Sequence, residues 1–142
     1  MQHFYRNFKL ALLSSFFFIV LVPVLVAEPK ALYSTKHQRY QFYFSWINGP
    51  SVEGLSSAHL ELVPKAGQDV TALKVLSVKP RMDAMGHGSD REVTVRLSAI
   101  DPALYELSNI SFTMGGVWQI YVYIQKGQDH GSLDVAMFEV EL

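Results

Sequence analysis

Between Lys79 and Ser89 the chain reads Lys-Pro-Arg-Met-Asp-Ala-Met-Gly-His-Gly-Ser, which gathers Met82, Met85 and His87 into a single short run. Thioether sulfur and imidazole nitrogen are soft or borderline donors. The chain has no cysteine, so no thiolate competes with them. That donor set suits Cu(I) best. Gly86 and Gly88 flank His87 and would let the backbone curl so that side chains three and five positions apart converge on one ion. Met114, just before Gly115-Gly116, is the fourth soft donor, and a loop and a strand end could bring it to the same place. Methionine also fills gaps in cores, and Met114 shares its parity with Ile110 and Phe112. Spacing alone therefore leaves a metal site and a packed connection both open.

The other histidines carry less. His130 lies in Gln128-Asp129-His130-Gly131, which reads as a turn. His37 and His59 have no soft neighbours and read as structural or solvated, and His3 falls in the N-terminal segment. No G-x-S-x-G, H-E-x-x-H, phosphate-binding glycine loop or G-x-G-x-x-G is present, and the acids are scattered among bases. No enzyme is expected. The absence of cysteine excludes disulfides, zinc–thiolate sites and iron–sulfur ligation. Twelve Lys+Arg against 13 Asp+Glu give a net charge of −1, which argues against a nucleic-acid binder.

Positioning such a loop needs a rigid frame, and 142 residues allow one domain with a targeting segment. Arg6 and Lys9 precede Leu10–Val26, which carries no charge, and Ala27 precedes Glu28-Pro29. That order predicts a signal peptide over 1–27, with 10–26 as an inner-membrane anchor if it stays uncleaved. Residues 28–142 would then form a periplasmic or secreted domain.

This remainder reads as strands. Tyr40, Phe42, Phe44 and Trp46 alternate along one face before Asn48-Gly49-Pro50 turns the chain. Further strands are expected at 59–63, at 72–79 (closed by Pro80), at 93–98 and at 110–114. Two more follow at 117–125 and 133–142, with a helical turn expected at 101–105. About seven strands separated by turn residues predict an all-β, immunoglobulin-like antiparallel sandwich. Tyr121 and Tyr123 fall opposite Trp118 and Ile120 and offer a stripe for a partner.

The run Pro80-x-Met82-x-x-Met85-Gly86-His87-Gly88, then Tyr105, then Phe112-Thr113-Met114-Gly115-Gly116-Val117-Trp118 resembles the FixH/YtkA-like proteins, clearest over 73–125. Asp83 stands where the family pattern has proline. The resemblance implies a small immunoglobulin-like envelope domain linked to copper supply or oxidase assembly. It also implies Met82, Met85, His87 and Met114 as ligands, with Trp118 as the core residue behind them. The expected function is non-catalytic Cu(I) handling, with a copper donor or acceptor protein of the envelope as partner. The alternative is a metal-free protein–protein interaction domain.

Overall fold

The computed structural model describes residues 30–142. The expected signal or anchor over 1–27 lies outside them. Among the described residues no helix is long and apolar enough to cross a membrane. The described residues form nine strands: β1 (Ala31–Ser34), β2 (Gln41–Asn48), β3 (Ser56–Val63), β4 (Leu73–Met82), β5 (His87–Gly88), β6 (Thr94–Leu97), β7 (Leu104–Ile110), β8 (Val117–Lys126) and β9 (Asp129–Glu141). Single 3-10 turns occur at Val70–Ala72 and Asp83–Met85. The strands make two antiparallel sheets, in the orders β1-β2-β3-β7-β6 and β5-β4-β8-β9.

The alternation read from the sequence is what packs these sheets together. Tyr40, Phe42 and Phe44 are buried from one side, and Trp118, Ile120, Val122 and Ile124 from the other. Each such side chain contributes about 1.5–3 kcal/mol by leaving water. Towards one end the core becomes aromatic. Phe44 meets Trp46 edge-on at 5.0 Å, Trp46 meets Phe112 at 6.1 Å, and Phe112 meets Trp118 at 5.3 Å.

Four readings need correction. The described residues form nine strands where about seven are expected, because the short β1 and β5 carry too few residues to show a period. β4 runs through Pro80 to Met82. Pro80 lies at the edge, and its carbonyl accepts from the Ser89 N–H at 3.1 Å, so its missing donor breaks no ladder bond. The seventh strand is Leu104–Ile110, not 110–114, and 101–105 leads into it through a plain turn. Asn109, at φ 61°, interrupts the alternation there, so Ile110 and Phe112 are both buried although only Ile110 is in the ladder.

The ends of the sandwich differ. β4 ends, β8 begins and β9 ends at one of them, together with the turn after Met82 and the connection 111–116. β1 runs antiparallel to β2, with Ala31 opposite Phe44 and Ser34 opposite Gln41, so the first strand also starts towards this end. At the other end the β1–β2 loop docks on β9. The His37 N–H and Nδ1 reach the Asp134 carboxylate at 3.1 and 2.9 Å, and the Lys36 N–H donates to the Val135 carbonyl at 2.7 Å.

Candidate functional site

The soft donors collect at the first of these ends. Met82 is the last residue of β4, and β5 pairs His87 directly opposite it. Opposed residues share a face, with Cβ atoms about 5 Å apart. Met82 points inward and is 5% exposed, whereas His87 lies exposed at the rim. Between them the chain makes a 3-10 turn. Gly86 closes it at φ 66°, a left-handed position, with its N–H donating to the Asp83 carbonyl at 3.2 Å.

Met114 approaches from the other side. Trp118, fully buried, donates its indole N–H to the Met114 carbonyl at 3.0 Å and so fixes the connection that carries it. Gly116, at φ 122°, lets that connection close on β4. A Cβ there would lie 3.2 Å from the Met82 methyl carbon. The Met82 methyl thus abuts a residue two positions from Met114. The parity argument for packing Met114 does not hold, since the chain has left the strand and Met114 is 41% exposed. Met85, on the turn, is 60% exposed.

Met82 is therefore brought beside His87 and beside the segment that bears Met114. Met82 is core as well as candidate ligand, whereas Met85, His87 and Met114 are open to solvent. Among the described residues no three His, Asp or Glu side chains gather as a hard metal site.

Four residues hold the turn in a role that the sequence reading gave to none of them. The Asp83 N–H donates to Gln119 Oε1 at 3.1 Å, the Tyr121 hydroxyl donates to Asp83 Oδ2, and Arg81 Nε pairs with Asp83 Oδ1 at 3.1 Å. Gln119 and Tyr121 stand next to β4 through the pairs Arg81–Gln119 and Lys79–Tyr121. The Asp83 hydrogen bond pushes the Tyr121 phenol above its ordinary value, with desolvation and the Asp83 charge adding to it. The sequence signal for this clasp was Asp83 itself, the departure from proline, together with the outward parity of Gln119 and Tyr121.

Two depressions lie elsewhere. An open cleft of about 480 Å³ runs between the free edge of β4 and residues 88–93, bordered by Arg81 and Gly88 but by none of the four donors. The outer face of the five-stranded sheet carries the cross-strand row His59, Glu106, Arg96. His130 is exposed, as read from the sequence, but it is the second residue of β9 and not part of a turn, since only residues 127–128 lie between β8 and β9.

A family model described as YtkA-like matches residues 34–123, a span that takes in every donor and every member of the clasp. No curated protein and no solved structure matches the chain.

Proposed function

This chain belongs to the YtkA-like family, and from that premise we propose that it handles copper in the cell envelope without catalysing a reaction. In this reading Cu(I) is cargo, held by Met82, Met85, His87 and Met114 and passed to an acceptor protein. The domain is periplasmic or secreted, as a free protein or on an anchor over 10–26, and its sandwich is of the immunoglobulin-like kind. The observation that carries the proposal is the pairing of Met82 with His87 while the Met82 methyl lies against Gly116. It sets two soft donors side by side and brings the segment of a third to them. The donor chemistry fits the ion, because thioethers and an imidazole bind Cu(I) without a thiolate.

The burial of Met82 favours the other reading, a metal-free interaction domain whose turn is simply packed. A Cu(I) competition titration separates the two. The parent is compared with Met82→Leu/Met85→Leu/His87→Ala, in which leucine keeps the volume of the core. The expected result is one equivalent bound by the parent and none by the variant at unchanged circular dichroism. Equal, negligible binding by both would end the copper reading.

A further inference from the structure

The outer faces of the two sheets differ. On the four-stranded sheet the outward residues of β8 and β9 include Tyr121, Tyr123, Val135, Met137 and Leu133, a continuous apolar and aromatic strip. Met137 is 52% and Leu133 43% exposed, and among the described residues no element covers them. Charge is segregated between the strands on either side of this strip, although the Asp83 carboxylate of the turn sits beside Arg81 on the basic side. β4 turns Lys74, Lys79 and Arg81 outward and no acid, whereas the later part of β9 turns Glu139 and Glu141 outward and no base. The register sets Arg81, Gln119 and Glu139 in one row and Lys79, Tyr121 and Met137 in the next.

We propose that this face pairs with the same face of a second copy of the chain, about a two-fold axis lying along β8. A two-fold contact must be self-complementary. Rotation about an axis parallel to the strands exchanges β4 with β9 and keeps each row opposite itself. It lays the basic strand of one copy over the acidic strand of the other, with the strip in the middle. An axis across the strands would stack β4 on β4 and set like charges together, which charge complementarity rejects. Within each row, Arg81 of one copy faces Glu139 of the second. Arg81 uses Nε for Asp83, so its two terminal amino groups remain available, and Glu139 uses only Oε1 for Gln119. Tyr121 faces its own counterpart at the axis. Both Met/His turns then lie at the same end of the pair. The proposal does not depend on copper.

The test is sedimentation equilibrium of the protein purified after expression of the full sequence, at about 10–200 µM and low salt, the range where weak interfaces are populated. A concentration-dependent doubling of mass is expected, weakening as salt rises. Glu139→Arg removes the Gln119 Nε2 bond at 3.3 Å but none of the three contacts to Asp83, and should weaken pairing roughly tenfold or more, as should Arg81→Glu. The exchanged variant Arg81→Glu/Glu139→Arg should recover it. A monomer throughout that range would overturn the proposal. So would a dimer indifferent to Glu139→Arg, or an exchanged variant no better than either single one.

Discussion

Met82 and Met85 stand three positions apart in opposite surroundings, so one substitution means different things at each. Met82→Ala removes buried volume beside Gly116 and should lower stability by about 2–4 kcal/mol in urea unfolding. Met85→Ala, on an exposed turn, should change it by no more than about 0.5 kcal/mol. Equal effects would mean that the turn is packed quite differently. Asp83 is a third case. Three contacts tie it to Gln119, Tyr121 and Arg81, where a proline ring would restrain the backbone by itself. Asp83→Ala should speed amide exchange at Gly86 and His87 and leave the core strands protected. Unchanged exchange there would show that Gly86 and β5 suffice. The donors were legible because their types are unusual together. The clasp was not, because Gln119 lies 36 residues from Asp83 and Tyr121 lies 38. Only the β4–β8 register joins them.

At the scale of elements, Asp134 on β9 fastens the β1–β2 loop to the opposite sheet. Burial alone would raise its carboxyl, but the Thr35 hydroxyl, His37 and the N–H groups of Val135 and His37 outweigh this. They hold it at about 2, against 3.8 when free. A carboxyl depressed on folding stabilises the protein above its unfolded value and loses that contribution as pH falls through the folded one. The contribution, roughly 2 kcal/mol, should therefore be intact above about pH 4 and vanish towards pH 2. Asp134→Asn should be less stable at neutral pH and flatter across that acid range by urea unfolding. An identical acid slope in parent and variant would contradict the assignment. Strand legibility divided in the same way. β2, β8 and β9 alternate over most of their length, with irregularities only near Trp46–Asn48 and Ile124–Lys126, and are legible in the sequence to within a few residues. β7 was displaced because Asn109 shifts the parity and Phe112 stays in the core after its strand has ended. Burial without pairing looks, in a sequence, like a strand.

For the whole molecule, the sandwich is a frame whose two ends do different work, one closing the fold through Asp134 and the other carrying the soft donors. If copper is held as proposed, affinity should fall only partly in acid, because thioethers have no proton to lose whereas an imidazole must be neutral to bind. A complete loss of binding just below neutral pH, with the fold intact, would remove the methionines from the account. The way the chain reaches the frame adds a spatial consequence. β1 starts towards the donor end and runs away from it, so whatever holds the protein upstream of Lys30 draws the Met/His turn towards itself. On a membrane tether the turn would sweep the layer next to the bilayer instead of the bulk compartment. The local concentration it meets would then be that of membrane-bound acceptors, set by tether length and hardly at all by the volume of the compartment.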